Sequence, residues 1–228
     1  MNVEQAREVV HAACLEMVAD GLVIGSAGNI SARVDEHRFV VTAAGVPYAR
    51  LTAAEHPLVD VRTGEWEGPR PPTSELALHL GVLRSMADVG AVVHTHSRHA
   101  AAFAVARLDL PFVCNESMVT RAERVLVTEY APPGSTDLGD QALATFARQP
   151  GSRAVLLANH GVVAVGPTVE DAALVARAVE WTAEICHLAR TLVAAGAGET
   201  VLDRAVQDAI GRNYGVTIAR EDERQADG

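Results

Sequence analysis

Residues 153–166 read RAVLLANHGVVAVG. Both arms of this stretch are too apolar for a surface, and Asn159-His160-Gly161 between them has the composition of a tight turn. It predicts two buried strands folded back on each other. AVVHTH at 91–96 reads as another short buried strand. Outward from these strands the apolar period becomes helical. Val3, Ala6, Val9, Val10, Ala13, Cys14, Met17 and Val18 recur on one face, with Gly21 as a stop, and predict an opening amphipathic helix. Further helices are predicted over 75–86, with Thr73 or Ser74 as the cap, over 97–106, over 136–149, and from a Thr168/Asp171 capping box to about 195. RFVVT (38–42), LVDVR (58–62) and VLVTEY (125–130) read as strands, the second entering a hairpin at Thr63-Gly64, while GSAGNIS (25–31) reads as a glycine-rich turn. Helices and short strands interleave without a steady βαβ rhythm. The prediction is therefore an α/β domain, a three-layer α/β/α sandwich with a mixed or antiparallel central sheet.

The 228 residues suit one compact domain, placed at 1–198, followed at 199–228 by a C-terminal helix and a flexible acidic tail. Thr200 and Asp203 repeat the capping signature before that last helix, whose expected apolar face is Leu202, Val206, Ala209 and Ile210. The end, AREDERQADG, is expected to be disordered. Hydrophobic residues at 49% and charged residues at 21% argue against a low-complexity chain, and aromatics at 4% leave the core to Ala, Val and Leu. With 19 basic against 29 acidic residues the formal charge is −10, so the footprint that phosphate-backbone binding needs is missing and no nucleic-acid partner is expected. Cys14, Cys114 and Cys186 lie far apart without a C-x-x-C spacing, which speaks against a disulfide framework and a thiolate zinc site. There is no basic leader and no run of 18 uncharged apolar residues, so the expected location is cytoplasmic, away from membranes.

The chemistry concentrates at His94-Thr95-His96, which ends an apolar strand. Side chains at i and i+2 project from one face, so both imidazoles can reach a single point, and burying two of them without a shared partner is costly. His160 adds a third imidazole in a turn where a polar side chain has no structural reason to be. Three imidazoles suit zinc or a similar divalent ion, and a catalytic site keeps a further, replaceable position. Glu75, after a Pro-rich loop and in the first turn of a helix, is the fourth ligand by type, although a carboxylate there also complements the helix dipole. His99 is expected to face elsewhere, and His11, His37, His56, His79 and His187 have no partner that singles them out. Gly28-Asn29 with Ser31, and Ala44-Gly45, offer small residues and free amides for an anion. Thr73-Ser74 add a helix N-terminus.

Taken together, GSAGNIS, TAAGVPY, PTSE, AVVHTH and NHGVVAVG, in this order, resemble the class II aldolase and adducin head-domain family over about 5–195, in particular its L-fuculose-1-phosphate aldolase branch. The resemblance implies a homotetramer with sites at subunit interfaces. It implies zinc, with Mn2+ or Co2+ as alternatives, on Glu75, His94, His96 and His160, and a phosphate site at Gly28, Asn29, Ala44, Gly45, Thr73 and Ser74. The implied activity is that of a lyase of carbohydrate metabolism that splits a ketose 1-phosphate into dihydroxyacetone phosphate and an aldehyde. Glu75 would act as acid or base at the carbon next to the carbonyl. Two positions depart from the family pattern. Ala44 stands where a threonine is expected, and Asn115 where a tyrosine from a neighbouring subunit would protonate the aldehyde oxygen. An amide is no general acid, so that role passes to Tyr130, Tyr214 or water. Epimerase, dehydratase and decarboxylase chemistry begins from the same enediolate. A non-catalytic adducin-like interaction domain is the reading from another class, and the intact Glu75, His94, His96 and His160 set argues against it.

Overall fold

The structure is a computed structural model that describes residues 1–193 and 200–221. Its strands are β1 (Asn29–Arg33), β2 (Arg38–Val41), β3 (Leu58–Asp60), β4 (Trp66–Glu67), β5 (Ala91–Thr95), β6 (Leu110–Pro111), β7 (Arg124–Val125), β8 (Ala154–Leu157) and β9 (Gly161–Gly166). Seven of them form one sheet in the order β4-β3-β2-β1-β5-β9-β8, with every neighbouring pair antiparallel, and β6 and β7 form a separate ribbon. The expected three-layer sandwich is present, with an antiparallel rather than mixed sheet.

Strand alternation builds two cores. Ile30, Ala91, Val93, Leu156 and Val162 point to one face, where they meet Ala6, Val10 and Cys14 of α1 (Val3–Ala19), Ala100 and Phe103 of α3 (Arg98–Ala106), and Ala172, Val179 and Cys186 of α5 (Val169–Val193). Val92, Val155, Leu157, Val163 and Val165 point to the other, against Leu78 and Val82 of α2 (Leu76–Ser85) and Leu138 and Phe146 of α4 (Thr136–Arg148). Both faces are covered, so the central strands read as continuous apolar runs rather than as alternations. His94 shares the face of Val92, the α2 side, by the same two-residue period.

Several local expectations are corrected. The stretch around 25–31 is not only a turn: Asn29–Arg33 is β1, at the sheet's centre between β2 and β5. Its alternation is hidden in the sequence because Asn29 and Ser31, which are polar, are its buried partners on the α2 side. VLVTEY keeps only Val125 in a strand; beyond it the chain runs beside β8 through a Val127–Leu156 bridge. The N-cap of α2 is Glu75 itself, without a side-chain cap bond, so neither Thr73 nor Ser74 caps it. Asp203 caps α6 (Arg204–Asn213), whose buried positions are Gln207 and Gly211, while Val206 of the expected apolar face is exposed. The expected tail is anchored at its start: Ala219 bridges Ala122, and Glu221 pairs with Arg124 and Arg148. Residues 194–199 and 222–228 lie outside the described residues.

The β8–β9 turn forms as expected, with Asn159 in the left-handed region at φ 55° and the His160 amide donating to the Leu157 carbonyl at 3.0 Å. A Cβ on Gly161 would lie 2.1 Å from the Thr95 carbonyl oxygen. Gly161→Ala must therefore push β9 off β5, and overpacking of this kind costs about 1–3 kcal/mol. Thermal unfolding of that variant is expected to show a midpoint several degrees below the parent, with His94 and His160 displaced as well.

Candidate active site

Three segments far apart in sequence deliver the site to one end of β5. His94 stands on β5 and His96 follows it; the turn between β8 and β9 presents His160; and Glu75 enters from the start of α2. Their ligand atoms all lie within 4.8 Å of one another. Glu75 Oε2 is 3.1 Å from His94 Nε2, Glu75 Oε1 is 3.3 Å from His160 Nε2, and His94 Nε2 is 2.9 Å from His96 Nε2. The His94 ring donates from Nδ1 to the Val162 carbonyl at 2.8 Å, which leaves the Nε2 lone pair aimed at the cluster.

This donor set fits a divalent cation. Ligands about 2.0–2.1 Å from a tetrahedral ion stand ~3.3 Å apart, close to the separations found. Glu75 Oε1, moreover, is buried without a hydrogen-bond partner. Burial opposes charge on Glu75, but the His94 contact, the Asn29 amide and His160 outweigh it and hold the carboxyl well below its usual range. Burial, then neighbouring His94, pushes the His160 imidazole down to about 4; burial with His94 and His160 does the same to His96. These two rings are therefore neutral near pH 7, the form in which imidazole binds a metal.

A cleft of about 210 Å³ opens on this cluster. It is lined by Gly28, Asn29, Ala44, Gly45, Thr73, Ser74, Glu75, His96 and His160, so the six residues of the implied phosphate site reach one space, whereas Ser31, expected with them, is buried against His79 instead. Ser26, Thr42 and Pro133 line it too and were not singled out from the sequence. The amides differ from expectation. Ala44 donates to Pro71 O and Thr73 to Thr42 O, each bond made within the fold. Gly28 sits at φ 71°, where a Cβ would meet the His94 carbonyl oxygen at 2.6 Å, so only glycine lets this loop lie against β5. The Tyr48 hydroxyl holds the Gly28 carbonyl from below.

Tyr130 and Tyr214 do not line this cleft; both are more than half exposed, and Tyr214 borders a separate cavity with Arg121, Arg153 and Leu174. Several histidines without an evident partner in the sequence have one here. His79 bonds Asn29 and Ser31, and His56 accepts from the Ala43 amide on Nδ1 at 3.2 Å and meets His11 through Nε2. No sequence spacing announces these contacts, since they join residues 13 to 50 positions apart. His99 does turn away, to Glu180 on α5.

The fold and the site define an α/β domain of the class II aldolase type. Residues 8–187 match the family described as Class II Aldolase and Adducin N-terminal domain, and the chain belongs to it. It is 35% identical over 164 residues, 72% of either chain, to a 5-methylthioribulose-1-phosphate/5-deoxyribulose-1-phosphate aldolase of Rhodospirillum rubrum. It is 32% identical over 193 residues, 84% of this chain and 89% of the other, to a 5-deoxy-D-ribulose 1-phosphate aldolase of Bacillus thuringiensis. The solved structure of an L-fuculose 1-phosphate aldolase matches with a TM-score of 0.85 at 27% identity, over 92% of this chain and 96% of that one.

His56 supports the loop that ends in Ala44-Gly45, and burial, followed by the charge of His11, lowers its pKa to about 4. An unfolded histidine titrates near ~6.5, so between that pH and about 4 the unfolded chain binds the extra proton. The contribution to stability is complete above that window and is lost as pH falls through it. Urea midpoints are expected to drop from pH 7 to pH 5, less steeply in His56→Gln.

Proposed function

We propose that the chain is a divalent-metal-dependent aldehyde-lyase, with zinc as the preferred ion, that cleaves a ketose 1-phosphate to dihydroxyacetone phosphate and an aldehyde. One observation carries this reading: a buried, ionised carboxylate with one unpartnered oxygen stands among three imidazole nitrogens at the mouth of a cleft built from small residues and hydroxyls. The relatives named above act on sugar 1-phosphates, which supports the substrate class. The chain contains no lysine, so an imine with the substrate carbonyl cannot form, and aldol chemistry here needs another electron sink. Glu75, His94, His96 and His160 would hold a divalent ion that could supply it as a Lewis acid toward the substrate carbonyl.

The residues of the chain do the rest. Ser74, Thr73, the Gly28 and Gly45 turns and the second Asn29 amide hydrogen face the phosphate, a neutral cradle without a Lys or Arg in its lining. Ala44 contributes shape only, having no hydroxyl and a committed amide. Glu75 Oε1 moves the proton at the carbon next to the carbonyl, taking it in the condensation direction and returning it after cleavage. Purified chain is expected to carry about one divalent ion. His94→Ala, His96→Ala or His160→Ala would empty the site, whereas Glu75→Gln would keep much of the metal and lose most turnover. Elemental analysis with an aldehyde-release assay on L-fuculose, 5-deoxyribulose and 5-methylthioribulose 1-phosphates checks both; near-parental turnover in Glu75→Gln removes it as the base.

The aldehyde oxygen needs a proton that Asn115 cannot give. We assign it to Tyr214 or Tyr130 of a neighbouring copy in a homotetramer, because both are exposed and outside the cleft of their own chain. Tyr214→Phe or Tyr130→Phe is expected to lower turnover by roughly 10² to 10⁴, far more than Asn115→Ala. Mixing the deficient tyrosine variant with Glu75→Gln should restore activity if the donor works between chains. Small, equal effects at all three positions favour the second reading, an epimerase, dehydratase or decarboxylase on the same centre, which the missing tyrosine at Asn115 supports.

A further inference from the structure

We infer that His79 is the positioning residue for Glu75, acting through Asn29. His79 lies four residues after Glu75 and is wholly buried between two residues of β1, Asn29 and Ser31, that share one face of that strand. Its Nε2 is 2.5 Å from Asn29 Oδ1 and its Nδ1 is 2.7 Å from Ser31 Oγ. Asn29 Nδ2 in turn donates to Glu75 Oε2 at 2.8 Å.

Each proton in this chain has only one place. Glu75 Oε2 accepts from Asn29 Nδ2, so the amide turns its NH2 end toward the carboxylate. That leaves Asn29 Oδ1 facing His79, which must then carry its hydrogen on Nε2. Burial pushes the His79 imidazole down to about 3, so the ring is neutral, and Nδ1 takes the hydrogen of the Ser31 hydroxyl. The order is Ser31 Oγ–H to His79 Nδ1, His79 Nε2–H to Asn29 Oδ1, and Asn29 Nδ2–H to Glu75 Oε2. A flipped Asn29 amide would set its oxygen against the carboxylate, which the carboxylate forbids, and the ring, in its Nε2–H tautomer, holds the Asn29 oxygen in the orientation that remains.

The consequence is that the two oxygens of Glu75 are unequal. Oε2 is held by an amide that the strand and helix behind it keep fixed, while Oε1 has no hydrogen-bond partner and stands 3.3 Å from His160 at the cleft. Oε1 is the oxygen free to exchange a proton, and His79 keeps it aimed. Partners one layer behind a metal ligand typically contribute 10- to 100-fold to affinity or activity.

The kinetic part of this assignment rests on the proposed lyase function; the cobalt part does not. In His79→Leu, Co2+-loaded protein is expected to show an altered visible spectrum approaching that of Glu75→Gln, with kcat about 10- to 100-fold lower and KM within about threefold. His79→Gln, whose amide can donate to Asn29 and accept from Ser31, should restore spectrum and kcat to within about threefold of the parent. A Leu variant with parental spectrum and kcat overturns the assignment. So does a folded, metal-loaded Gln variant as impaired as Leu, since orientation would then not be what the ring supplies. Should the Leu variant not fold, Ser31→Ala decides: a shifted cobalt spectrum with a several-fold loss of kcat supports the assignment and a parental spectrum overturns it. If the parent cleaves none of the sugar phosphates, the lyase reading fails, and the cobalt spectra alone judge His79.

Discussion

The carboxylate of Glu75 is ionised, nearly buried, and faces three imidazoles, and most of the architecture can be understood as what that arrangement requires. An ion taken out of water loses several kcal/mol of hydration unless charge and hydrogen bonds replace it. Here Asn29 supplies one bond and His94 and His160 lie within 3.3 Å, yet Oε1 remains without a hydrogen bond. Two of the rings, His96 and His160, are held neutral by burial and by neighbouring His94. Converging lone pairs with so little positive charge between them suit a cation at their centre, so the chemistry of the site and its electrostatics point the same way.

Bringing those groups together is a problem of approach distance. β5 lies between β1 and β9, and both neighbours must pass close to the same short stretch of backbone around His94 to Thr95. Gly28 solves it on one side and Gly161 on the other, each at a point where a Cβ would strike a carbonyl oxygen of β5. The sheet thus acts as the ruler for the site: β1 presents Asn29 directly opposite His94, and the β8–β9 turn delivers His160 past the other edge. α2 lies on the same face and contributes two residues one turn apart, Glu75 toward the cleft and His79 behind it.

In this chain without lysine the cleft offers hydroxyls, an amide and backbone turns, and its lining holds no Lys or Arg. Such donors are short, rigid and neutral, so they select shape and hydrogen-bond geometry over charge. The arginines are used elsewhere, in structural ion pairs such as Arg177 with Glu16 and Asp20, and Arg220 with Asp208.

The sequence by itself determined the layers and the ligand types. Period-3.6 and continuous apolar runs are properties of local stretches, so α1, α4, α5, β5, β8 and β9 were legible, and the i, i+2 spacing of His94 and His96 was enough to place both on one strand face. His160, a polar residue in a turn between apolar runs, and Glu75, a carboxylate at a helix start, joined that pair by residue chemistry, and the family motifs gave the same set. What the sequence could not reveal were contacts that exist only because distant segments are stacked: β1 as a central strand, His79 clasping Asn29, His56 under the Ala43 amide, and the capture of Glu221 by Arg124 and Arg148. The reason is common to all of them. A polar side chain looks surface-bound until its partner is known, and here each partner arrives from another element, so only tertiary structure decided that Asn29, Ser31 and His79 belong to the interior and that His79 stands behind the site.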